Sequence, residues 1–149
     1  VISAIVSALH VLAMALGVSS IYLRGRALKQ PLDDDGFSRL FAADNLWGIA
    51  ALLLLATGLL RAFGGLEKGS HFYLSSSLFW VKMALFLAVF LLEIRPMMTF
   101  IRWRAERRRG HRPDTTNTRA LYAVTHVELA LVVLIVFVAS FMARGFGVR

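Results

Sequence analysis

Apolar residues fall along this chain in four long blocks separated by short polar stretches. The blocks are Ser3–Leu23, Leu46–Phe63, Leu78–Phe100 and Leu121–Ala143. Crossing a hydrocarbon layer of ~30 Å takes roughly 20 helical residues at ~1.5 Å each, so every block is long enough to span it. The pattern therefore predicts an all-α membrane protein: one four-transmembrane-helix bundle over residues 1–149, with spans at about 3–23, 42–63, 78–100 and 121–143. Pro31 closes the first helix, and "DDDG" supplies caps for a second that starts near Phe37. "SSS", Ser75–Ser77, offers a cap for the third. Pro96 is expected to free the Leu92 carbonyl and kink that helix. The first block lacks a basic leader and outruns a signal-peptide core, so it reads as a retained span.

Composition agrees with lipid as the solvent. Of 149 residues, 58% are hydrophobic and 17% charged, against about a quarter charged in soluble domains. The absence of cysteine excludes disulfides, thiolate metal sites, iron–sulfur clusters and CxxCH haem attachment. A net charge of +8 raises the question of nucleic acid, but no module combines stacking aromatics with a basic face. The cations instead mark topology. The first and third connections hold eleven (Arg24, Arg26, Lys29, Arg39; Arg102, Arg104, Arg107, Arg108, Arg109, Arg112, Arg119), and the opposite side holds four (Arg61, Lys68, Arg144, Arg149). This asymmetry places the first and third connections in the cytoplasm and both termini on the outer side. Phe72, Tyr73, Phe79 and Trp80 are expected to form an outer aromatic belt and Trp103 an inner one. "RWRAERRRGHR" reads as a stop-transfer loop or as a surface for anionic lipid.

Ionisable groups at membrane depth are costly and default to a functional reading. Depth sorts them into two groups. His10 lies ~10 Å and Lys82 ~6 Å below the outer surface, which makes them plausible neighbours. Asp44, Asn45, Glu93, Arg95, His126 and Glu128 gather toward the inner end, with His126 ~8 Å from the surface there. In this second group Arg95 is the expected neutraliser of Asp44, Glu93 or Glu128. His126 and Glu128 stand about 200° apart round a helix, so both cannot face one partner. Ser3, Ser7, His10, Met14 and Gly17 form a small or polar stripe on the first helix, and Gly48, Ala51, Leu55 and Gly58 a similar one on the second. Small residues mark close helix contacts in membranes, which turns His10 inward.

A buried neutral imidazole is a ligand for haem iron or copper; the alternative is a histidine that holds helices together by hydrogen bonding. Met14, one turn away, could line such a pocket. Lys82 either snorkels to the interface or holds a haem propionate or substrate carboxylate, and Arg61 and Lys68 could serve likewise. A bis-histidine haem between His10 and His126 is disfavoured by a depth difference of ~12 Å.

"DNLWGIAALLLLATGLLRAF", "EKGSHFYLSSSLFWVKMALFLAVFLLEIRPMMTFIRWR" and "HVELALVVLIVFVASFMARG" resemble the bacterial membrane proteins grouped as domain-of-unknown-function family 2214, over nearly the whole chain. More distantly the pattern is similar to the four-helix protoporphyrinogen oxidases of the HemJ type and to copper-resistance D type proteins. In the oxidases a histidine in the first helix and a lysine early in the third are associated with haem b, and His10 and Lys82 match them in order and spacing. The chain departs from that pattern in having His126 and Glu128 where the oxidases tend to have Asn-Glu. Late in the first helix it has Ser19 and Ser20 where the closer family has an acidic residue.

The combined expectation is a haem b-binding membrane protein in electron transfer or porphyrin or quinone-like oxidation, an oxidoreductase without assigned catalytic residues. His10 is its ligand, with Met14, Lys82 and Arg61 lining the cofactor. The alternatives are a non-enzymatic accessory or scaffold subunit and copper handling. Expected partners are the lipid bilayer and other membrane proteins or further copies of the chain, with no nucleic acid.

Overall fold

The computed structural model describes residues 1–65 and 70–147; Lys68, Arg149 and the side chains of Phe72 and Tyr73 lie outside the described residues. Four long helices dominate: α1 Ile2–Lys29, α2 Asp34–Phe63, α4 Ser77–Arg108 and α5 Thr118–Ala143, with a short α3 at Ser70–Ser75 before α4. All four long helices are apolar enough to cross a membrane. At 26 to 32 residues they also outlast the apolar blocks. The added turns carry polar residues, and their placement matters for the site.

Local chemistry sets the helix ends. The Asp33 carboxylate accepts from Gly36 N at 2.8 Å, and Asp34 and Asp35 occupy the first turn, where the helix dipole favours negative charge. So α2 begins at Asp34 rather than near Phe37. The serines before α4 behave differently from expectation. Ser76 is the N-cap but its side chain makes no capping bond. Instead the Gly147 carbonyl accepts from Ser77 N at 2.9 Å and from Ser77 Oγ at 3.1 Å. That carbonyl is placed by a turn with Gly147 at φ +77°, a conformation that favours glycine. Helix α4 runs continuously through Pro96, which is buried.

Helix α1 packs along α2 and along α5, and α5 packs along α4. The fourth seam, between α2 and α4, is bridged by long side chains. One end of the bundle carries the α1–α2 and α4–α5 connections and most of the arginines; the other carries both described termini. Three apolar clusters follow the axis. Leu28, Phe37, Leu40, Phe100, Trp103 and Leu121 fill the arginine-rich end. Ile21, Trp47, Ala50, Val89, Val132 and Ile135 fill the middle, and Ala62, Phe79 and Met142 the terminal end. Large apolar side chains such as Leu12, Leu52 and Phe90 point outward. A surface of this kind requires lipid rather than water around it.

Two packing expectations are corrected and one holds. The α2 face that packs carries Trp47, Ala50, Leu54 and Thr57, all buried. Gly48 has open space around it and Leu55 is exposed, so the small-residue stripe of Gly48, Ala51, Leu55 and Gly58 is not the buried face. On α1, Gly17 does mark a close approach: an added Cβ would meet Trp47 Cζ3 at 3.1 Å. Trp103 is not an interfacial anchor. Its ring is fully buried and its Nε1–H donates to the Asp114 carbonyl at 3.0 Å, which ties the α4–α5 connection to the core.

Candidate functional site

Between the arginine-rich and middle apolar clusters lies a layer of charged side chains, one or more from each long helix. Its centre is Arg24, whose side chain is completely buried. Nη1 donates to Glu93 Oε1 at 2.8 Å and to Asp44 Oδ1 at 3.3 Å. Nη2 donates to Glu93 Oε2 at 2.9 Å and to Glu128 Oε2. Trp47 Nε1–H adds a further donor to Glu93 Oε2 at 3.0 Å. Arg104 closes the layer on its outward side: its Nη2 donates to Asp44 Oδ2 at 2.8 Å and to Asn45 Oδ1 at 3.0 Å. Its guanidinium lies 4.6 Å from the Phe41 ring centre. The forked pairing of Arg24 with Glu93 suits a planar guanidinium and fixes the angle between α1 and α4.

This arrangement corrects the inner group. Asp44, Asn45, Glu93 and Glu128 do come together. Arg95 does not join them: it is exposed and pairs with no acid among the described residues. The cations are Arg24 and Arg104, whose positions just outside the apolar blocks mark them in the sequence only as loop charges. His126 also stands apart, as its 200° offset from Glu128 requires. Its Nε2 lies 3.0 Å from the Tyr122 hydroxyl, and its ring lies against Gly25. A signal for Arg24 is present in the spacing. Continuing the α1 stripe from Gly17 by steps of three and four passes through Ser20, Arg24 and Ala27, all buried.

Toward the terminal end, His10 Nδ1 and Thr57 Oγ1 are 2.7 Å apart, joining α1 to α2. Thr57 spends its own hydroxyl hydrogen on the Leu53 carbonyl. Its oxygen therefore accepts from His10, which puts a ring proton on Nδ1. Gly58 faces the ring, and even an added Cβ would reach only ordinary contact with Cε1 at 3.6 Å. Met14 packs against the middle apolar cluster. Lys82 places its ammonium 5.5 Å from the centre of the Phe79 ring on its own helix. Arg61 lies in the last turn of α2. In the same half, the α2–α4 seam opens into an apolar cleft of about 530 Å³ lined by Leu55, Trp80, Met83, Phe86, Leu87 and Phe90. Among the described residues, no three His, Cys, Asp or Glu side chains are grouped to hold a metal ion.

No curated protein and no solved structure matches the chain. Residues 2–147, nearly all of it, match the family described as "Predicted membrane protein (DUF2214)". Four apolar spans on a bundle with a charged waist accord with that description: the chain belongs to the DUF2214 family of multi-pass membrane proteins.

Proposed function

We propose that the protein is a redox carrier of the bacterial inner membrane that binds one b-type haem in the terminal half of the bundle, with His10 as axial ligand. The observation that carries this reading is the His10–Thr57 bond. It puts a proton on Nδ1 and ties that nitrogen to a second residue, as in most metal-binding histidines; in the neutral imidazole Nε2 would then be the nitrogen that ligates iron. The donor set therefore fits haem iron. An apolar, aromatic-lined cleft on the α2–α4 seam in the same half would suit a porphyrin's apolar faces, although neither His10 nor Gly58 lines it. Lys82 and Arg61 are the cations proposed to hold its propionates. The resemblance of His10 and Lys82 to the HemJ-type pattern supports the same reading. When bound, the haem would supply one-electron chemistry; Thr57 would orient the ligand and the apolar lining would exclude water. The excess of arginine at the opposite end supports placing that end in the cytoplasm.

Purification in mild detergent after haem-replete expression tests the proposal. A Soret band is expected for the wild type, lost in His10→Ala and largely retained in His126→Ala. A colourless wild type overturns it.

A further inference from the structure

The charged layer has one acid too many. Arg24 and Arg104 supply two positive charges, whereas Asp44, Glu93 and Glu128 supply three carboxyl groups. An uncompensated charge in the apolar interior is the costliest state such a cluster can adopt, and binding one proton removes it. The acids are not equivalent. Glu93 is served by both Arg24 Nη atoms and by Trp47, and Asp44 by Arg24 and Arg104. Glu128 is fully buried and accepts from Arg24 Nη2 on Oε2, with the Glu93 carboxyl also within hydrogen-bonding reach. Its Oε1 is buried with no hydrogen-bond partner. That orphan oxygen is the natural place for a hydrogen.

From these observations we infer that Glu128 is a proton-binding site, holding one exchangeable proton on the buried side of the charged layer. Two further orphan atoms, Arg24 Nε and Thr125 Oγ1, lie on the residues that form the α1–α5 contact around it.

The site opens on one side. Side-chain exposure is 24% at Arg104, 18% at Glu93 and 13% at Asp44, and zero at Arg24 and Glu128. In the opposite direction the middle apolar cluster, with Ile21, Val132 and Ile135, seals it. A proton therefore enters from water at the arginine-rich end and converts the Glu128 carboxylate to the acid. It leaves by the same route. The groups that set its affinity are Arg24 from α1, Asp44 from α2, and Glu93 and Arg104 from α4; on α5 itself, His126 is turned toward Tyr122. Nothing in this site depends on a bound haem.

Infrared spectroscopy of the purified full chain in lipid vesicles tests the assignment. At neutral pH the wild type is expected to show the carbonyl stretch of one protonated carboxylic acid, shifting on transfer to D2O as the proton exchanges. Glu128→Gln should remove that band, Glu128→Asp should shift it without abolishing it, and Asp44→Asn, which removes the surplus negative charge, should weaken it. Absence of any protonated-carboxyl band in the folded wild type overturns the inference. So does a band that survives Glu128→Gln or keeps its frequency in Glu128→Asp. If Glu128→Gln does not fold, 13C-labelling of glutamate carboxyls in the wild type decides: a band unmoved by the label overturns the assignment to glutamate, and a shifted band supports it. A colourless protein with the band intact would sink the haem reading and leave this one standing.

Discussion

Replacing Arg24 by glutamine asks how much the charged layer holds. The substitution keeps a polar side chain but removes the charge and four hydrogen bonds, two to Glu93 and one each to Asp44 and Glu128. Bonds to charged groups contribute about 1.5–3 kcal/mol each, but a plain sum overshoots because the acids left behind relax and take up protons. Removing one partner of a buried ion pair costs about 3–5 kcal/mol in measured cases, and that range applies here because Arg24 and Glu128 are wholly buried. At about 1.4 kcal/mol per tenfold, the folded-to-unfolded ratio should fall by roughly a hundred- to several-thousand-fold. The assay is reversible unfolding in mixed micelles at rising SDS mole fraction, followed by circular dichroism. Arg95→Gln is the control: it lies on the exposed surface and should change stability by no more than about 0.5 kcal/mol. Adding Glu93→Gln to Arg24→Gln removes the acid left uncompensated, and the pair should recover about 1–3 kcal/mol over the sum of the single changes. If Arg24→Gln and Arg95→Gln unfold alike, or the double variant shows no coupling, Arg24 is not the centre of the layer.

Other substitutions probe the remaining contacts. Gly17→Leu drives a side chain into Trp47 and should cost about 1–3 kcal/mol in the same assay, whereas Gly48→Leu should be nearly neutral because nothing lies within 4 Å of it. Thr57→Val removes the acceptor for His10 and should cost about 0.5–1.5 kcal/mol in the same assay. In the α4–α5 connection, the Thr116 backbone N–H holds the Asp114 carboxyl below its ordinary value. The stabilisation is therefore complete above the unfolded value and disappears as pH falls through the lower folded one. Carboxyl NMR should find the Asp114 midpoint below that of a free aspartate, and Thr116→Pro, which deletes the N–H, should return it.

How far the sequence reveals each part of this molecule depends on what a residue's neighbours conceal. The four spans are legible because a run of about twenty apolar residues would be insoluble in any setting but a bilayer or a large core. Helix ends are less so: Asp34–Phe41 and Arg102–Arg108 look like loop by hydropathy, yet they extend α2 and α4 into the turns that pair Arg107 with Asp34 at 2.8 Å. The same rule that reads arginines as orientation signals hides Arg24, since a cation just past an apolar block satisfies it without needing a partner. Arg95 looks better placed by sequence because it sits within its block, but it shares a helix with Glu93 two residues away and points elsewhere. The α2 face is misread because Gly48 and Gly58 invite close contact, while the contact is made by bulky Trp47 filling the notch at Gly17.

The unequal seams of the bundle also bear on how the protein should be handled. Three sides are finished by protein, but beyond the Arg107–Asp34 and Arg104–Asp44 clasps the fourth is left for the surrounding amphiphile to fill. In protein without cofactor, acyl chains against Trp80, Phe86 and Phe90 would complete the packing, and their length and order would bear on how far α4 stands from α2. Preparations in short-chain detergent and in native-thickness bilayers will differ in that separation even with identical sequence, and comparisons between variants belong in one amphiphile.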